Sequence, residues 1–221
     1  MNTIESPGGR IGLTDPRVLQ VYDTSHSLFA MDTQNLDNRA RHIFVCSAAG
    51  AIATAGGVDP RLVQVAALTH EYRGVAESMG DPGRDAAVRA SVLEAAGFRN
   101  DQVTRVQRIV LEAVMSVVGS PTDGMTAESR VLGDALAAYE THPVTLVRMT
   151  QGQLRRVSLG GYAAGFVERF GPRIEEGTLF STRFAQERYQ EGAEASLGQW
   201  QVVAEALDTD DAVRNMIVPL V

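Results

Sequence analysis

Asp59-Pro60-Arg61-Leu62-Val63-Gln64-Val65-Ala66-Ala67-Leu68-Thr69-His70-Glu71 decides how the whole chain is read. Asp59 is a capping residue and Pro60 suits a first helical turn, so a helix begins here. Leu62, Val63, Val65, Ala66 and Leu68 recur at helical spacing and belong inside. The helix is expected to end near Gly74, with His70 and Glu71 in its last turns. An apolar helix that closes on an imidazole and a carboxylate marks both the fold class and a place to look for chemistry.

The same spacing recurs on both sides. Upstream, Thr14-Asp15-Pro16 starts a helix that runs to about Met31. Asn38 to Ala55 carries Ile43, Phe44, Cys46, Ala49 and Ile52 on a helical face and stops at Gly56-Gly57. Downstream, Asp85 to Ala96 is a short helix closed by Gly97. Asn100 or Asp101 caps the next, which passes through Val103, Val106, Ile109, Val110 and Val114 and ends at Gly119-Ser120-Pro121. Ala127 to Tyr139 places Val131 and Leu132 inside. Val144 to Val157 is helical, Tyr162 to Phe170 is a short helix stopped by Gly171-Pro172, Leu179 to Leu207 is long and amphipathic, and Asp210 to Val218 is a short terminal helix. No segment alternates with period two between hairpin turns. The expected fold is all-α: a flexible lead-in over residues 1–13, then a single helical domain over 14–221.

Composition narrows the function classes. The 221 residues suit one domain with a sizeable core. A formal net charge of -7 makes a nucleic-acid backbone an unsuitable partner for the surface as a whole. All 20 basic residues are arginine, so Schiff-base and P-loop lysine chemistry are excluded and any anion clamp must use guanidinium. A single cysteine, Cys46, rules out an internal disulfide and fits a reducing compartment. Met1 to Leu13 holds no long apolar run, so neither a signal peptide nor a membrane span is expected there, and the default location is cytoplasmic.

Of the four histidines, His26, His42, His70 and His142, two fall at positions suited to chemistry. His42 lies early in one helix, His70 closes the next beside Glu71, and Asp134 sits in a third within Val131-Leu132-Gly133-Asp134-Ala135-Leu136. Two imidazoles and two carboxylates on three packed helices suit one divalent metal.

The order His42, then Ala66-Ala67-Leu68-Thr69-His70-Glu71, then Asp134 resembles the H…HD…D signature of the HD superfamily. Further pieces follow in family order: Ser91-Val92-Leu93-Glu94-Ala95-Ala96-Gly97-Phe98, then Val103, Val106, Ile109 and Val110, then Glu128 through Ala135, and Ser181 through Arg188 in a long last helix. The resemblance covers about residues 35 to 205. It implies an HD-like helical bundle and a metal-dependent hydrolase of a small phosphorylated molecule or nucleotide. It makes His42, His70, Glu71 and Asp134 the metal ligands, with Mn, Fe, Co, Ni, Zn or Mg as the cation, and puts His70, Glu71 and Asp134 in catalysis. On the same footing Arg73 is the anion clamp, and Arg39, one turn before His42, faces the site. Tyr72 either hydrogen-bonds substrate or packs, and His26 either covers the pocket or lies at the surface.

The chain departs from the pattern at Glu71, where the family has Asp, at Asn38 and Ala113, where relatives carry further histidines, and at Leu136. Glu112, beside Ala113, is a substitute ligand in one reading. Three functional readings therefore stand: an altered mononuclear hydrolase site, a scaffold turned to non-hydrolytic lyase or cyclase chemistry, and a metal-free pocket that binds a small molecule. The long final helix either completes the core or pairs two protomers as a homodimer.

Overall fold

The computed structural model describes residues 3–6, 9–30, 36–71, 82–117, 124–143 and 158–206. Among them eight helices dominate, and the all-α expectation holds: α1 (Pro16–Ala30), α2 (Leu36–Ala55), α3 (Pro60–Thr69), α4 (Pro82–Ala95), α5 (Asn100–Val117), α6 (Ala127–Thr141), α7 (Leu159–Glu175) and α8 (Arg183–Ala206). The expected helices at 144–157 and 210–218 lie outside the described residues. Contacts divide the chain into two compact units, 1–139 and 140–221, within what the sequence reads as one domain.

Where a flexible lead-in is expected, β1 (Thr3–Ser6) and β2 (Gly9–Gly12) pair antiparallel, Thr3 opposite Gly12 and Ser6 opposite Gly9. The pairing joins segments whose Gly and Ser content alone reads as slack. The two strands lie against α2.

In the first unit α3 is central and touches α1, α2 and α5. Its residues Leu62, Val63 and Val65 through Thr69 are all buried, as befits a helix apolar on every side. Asp59 caps it by accepting from the Arg61 N–H at 3.0 Å, with Pro60 in the first turn. The expected stops are present. Gly57 (φ 67°) ends α2 and Gly97 (φ 80°) ends α4. In each case the next residue donates back into the helix: Val58 N–H to the Ala53 carbonyl at 2.9 Å, Phe98 N–H to the Leu93 carbonyl at 3.0 Å.

α5 and α6 come close at Gly133, where an added Cβ would lie 2.7 Å from Ser116 Oγ. That hydroxyl donates to the Ala113 carbonyl at 2.8 Å. Gly133→Ala is expected to force Ser116 to rotate and to lower stability by about 1 kcal/mol, even after the helix-propensity gain of alanine. In a Ser116→Ala background the same change is expected to stabilise by about 1 kcal/mol. Urea unfolding of the four-member cycle reads the change of sign; equal effects in both backgrounds would refute the steric account.

In the second unit α7 packs along α8. Phe166 and Phe170 lie 5.2 Å apart, and Trp200 meets Tyr162 at 5.2 Å and Phe166 at 6.1 Å. The expected stop at Gly171-Pro172 is overturned, because α7 continues to Glu175 and ends before Gly177 (φ 66°). Proline removes one N–H so near the helix end that burial of Phe170, Gly171 and Ile174 outweighs it. The last helix begins at Arg183, not Leu179. Leu179 and Phe180 are buried ahead of it, so their apolar spacing imitates a helical face. Thr182 caps α8, its hydroxyl accepting from Ala185 N–H at 3.4 Å.

Candidate metal centre

The helix that carries His70 ends earlier than the sequence suggests. Its last residue is Thr69, and His70 is its cap (φ -68°, ψ -24°) rather than part of its last turns. The final carbonyls of a helix lack intrahelical donors. Two of them are taken by side chains: Ala67 O accepts from His70 Nδ1 at 2.7 Å, and Thr69 O accepts from Arg89 Nε at 2.9 Å.

The first of these bonds sets the imidazole. With Nδ1 donating, Nε2 carries the lone pair. His70 Nε2 is buried and has no hydrogen-bond partner among the described residues. Burial holds the His70 pKa well below the usual histidine range; the nearness of His42 and Arg41 adds to this, and the Ala67 carbonyl opposes it. The ring is therefore neutral at neutral pH. His42, from α2, is buried as well, and the two ring centroids stand 4.9 Å apart at an interplanar angle of 41°.

Glu71 follows directly and stays partly exposed. Its Oε2 lies 3.9 Å from His70 Nε2 and 2.7 Å from Arg41 Nη1. The Arg41 guanidinium also lies over the Tyr139 ring, 5.6 Å from its centroid. Asp134 is 1% exposed in α6, next to the tight approach at Gly133. Among the described residues no group of three or more His, Cys, Asp or Glu side chains is arranged to hold a metal ion. Of the four expected ligands, the histidines are the two in direct ring contact, with the Glu71 carboxylate beside them.

His26 stacks on Tyr22 in α1 at 5.9 Å. Arg39 is in α2, but its side chain, like Tyr72 and Arg73, lies outside the described residues. Glu112 is not a substitute ligand. Its Oε2 accepts from Ser129 Oγ at 2.6 Å and from Thr126 N–H at 3.1 Å, which commits it to the start of α6. Cys46 is fully buried, and burial pushes its thiol up to about 12, too high to supply thiolate.

Two residues take parts that the sequence does not assign to them. Arg41, which with Arg39 flanks His42 in sequence, reaches Glu71 from α2. Arg89 carries no sequence signal, since an arginine among small and apolar residues, here Ala86, Ala87, Val88 and Ala90, reads as a solvated face. Compared with protein-family models, curated proteins and solved structures, the chain matches none.

Proposed function

We propose that the chain is a metal-dependent hydrolase of a small phosphorylated molecule or nucleotide, on a divergent HD-like scaffold. The observation that carries this reading is His70 Nε2: a neutral, buried lone pair beside a second buried imidazole. A histidine whose other nitrogen donates to a backbone carbonyl has the arrangement that orients metal-ligating imidazoles. His42 and His70 would hold the cation, with Glu71 beside them and Asp134 as the further carboxylate. Bound there, a divalent cation supplies Lewis acidity to a phosphoryl oxygen and to water. Arg41, whose Nη1 lies 2.7 Å from Glu71 Oε2, would hold that carboxylate in place and set a positive charge beside the site.

Protein prepared without tags or chelators is expected to contain close to one transition metal per chain, to melt higher with added Mn²⁺, and to release phosphate from a generic phosphomonoester. His70→Ala is expected to weaken metal binding by more than the about 10–100-fold that loss of an outer partner costs. No metal, no shift with Mn²⁺ and no turnover together would remove the hydrolase. A second reading, metal-free binding of a small molecule such as a phosphate, is favoured by the Arg41–Glu71 ion pair, which engages the carboxylate that the metal reading needs. It predicts a rise in melting temperature with inorganic phosphate in the presence of a chelator.

No helix among the described residues is long and apolar enough to cross a membrane.

A further inference from the structure

Arg89, on α4, is 5% exposed, and its Nε donates to the carbonyl of Thr69, a residue with no exposure at all. Asp85, one turn earlier on the same helix and 7% exposed, sets an oxygen 3.6 Å from Arg89 Nη2. A guanidinium buried with a carboxylate carries a desolvation cost, and here its Nε is committed to the last carbonyl of α3. Continuing α3 by another turn would give that carbonyl an intrahelical donor at no such cost. Instead α3 stops at Thr69, the arginine takes the donor's place, and the next residue is His70, turned back onto Ala67.

We infer that Arg89, oriented by Asp85, is a positioning residue for His70. It holds the end of α3 so that the His70 ring stays in its Nδ1–H form with Nε2 turned away from the helix. This placement stands on the geometry alone; its consequence for metal binding rests on the function proposed above.

Nitrogen-15 labelling of the histidines in the full chain separates the two readouts. Only four histidines contribute, and the wild type is expected to show an Nδ1–H signature that disappears in His70→Gln. Arg89→Met is expected to lose or average that signature with the far-ultraviolet circular dichroism unchanged, and Arg89→Lys to restore part of it. A folded Arg89→Met protein with an unaltered His70 signal overturns the inference. Should Arg89→Met not fold, Asp85→Asn, which keeps the arginine and the shape of its partner, is expected to broaden the same signal, and an unaltered signal there overturns it equally. Titration with Co²⁺, followed by visible absorption, is expected to be about 10–100-fold weaker in Arg89→Met than in the wild type, with Arg89→Lys between them. Equal affinity in all three counts against the positioning role. A wild type that binds no Co²⁺ counts against the metal reading, while the nitrogen spectra still decide Arg89.

Discussion

Trp200→Ala is expected to lower the stability of the second unit by about 3–5 kcal/mol, the range for removing a large aromatic from a packed core. Trp200 is 8% exposed and is the residue of α8 that meets both Tyr162 and Phe166 of α7. Its removal leaves a void between two helices whose core otherwise rests on Ala163, Phe170, Ile174 and Leu197. It is the single tryptophan, so in the wild type the fluorescence transition in urea reports the surroundings of Trp200 on α8. Trp200→Phe is expected to recover about half of the loss, because the edge contact with Tyr162 survives on a smaller ring. Unfolding of both variants followed by circular dichroism tests this. A loss below about 1 kcal/mol in Trp200→Ala would show that the residue is not a core element.

The second large effect concerns acid. Burial alone would raise the Glu112 carboxyl, but hydrogen bonds from Ser129, Arg108 and the Thr126 N–H outweigh it and hold it at about 2, against 4.5 for an unperturbed group. The folded pKa is the lower one, so the native state binds the proton less readily than the unfolded chain. The contribution is complete above the unfolded value and is lost as pH falls from about 4.5 through about 2. At neutral pH it amounts to about 2–3 kcal/mol, the lower figure allowing for solvent screening of a partly exposed group. Glu112→Ala is expected to cost about 3 kcal/mol at neutral pH, since it removes the acceptor for Thr126 N–H and Ser129 Oγ where α6 begins. Glu112→Gln keeps the shape without the charge. The wild-type-minus-Gln stability difference is expected to shrink below pH 4.5 and vanish near pH 2. A difference that stays constant across that range would mean that the carboxylate's charge plays no part.

The linkage also explains why Glu112 is lost as a ligand candidate. In sequence Glu112 is a carboxylate beside Ala113, the position at which the resembled family carries a histidine. In space it faces the start of the following helix, 14 and 17 residues on. Which partner a side chain chooses there depends on how α5 and α6 approach at Gly133, and that approach is set by volumes on both helices.

Some of this protein is written locally. The Asp59-Pro60 start of α3, the stops at Gly57 and Gly97 and the apolar face of α5 each depend on a capping oxygen, a positive φ or a 3.6-residue period within a few positions, and all are legible in sequence. Others needed the folded chain. α7 runs through Pro172 because Ile174 finds a buried place beyond it. The contact between the His42 and His70 rings, the pairing of Arg41 with Glu71, and the clamp of Arg89 on Thr69 all join separate parts of the chain. The energies that end a helix act between neighbours in sequence; the direction of a side chain leaving it is decided by the volumes packed against it, and those arrive from elsewhere in the chain.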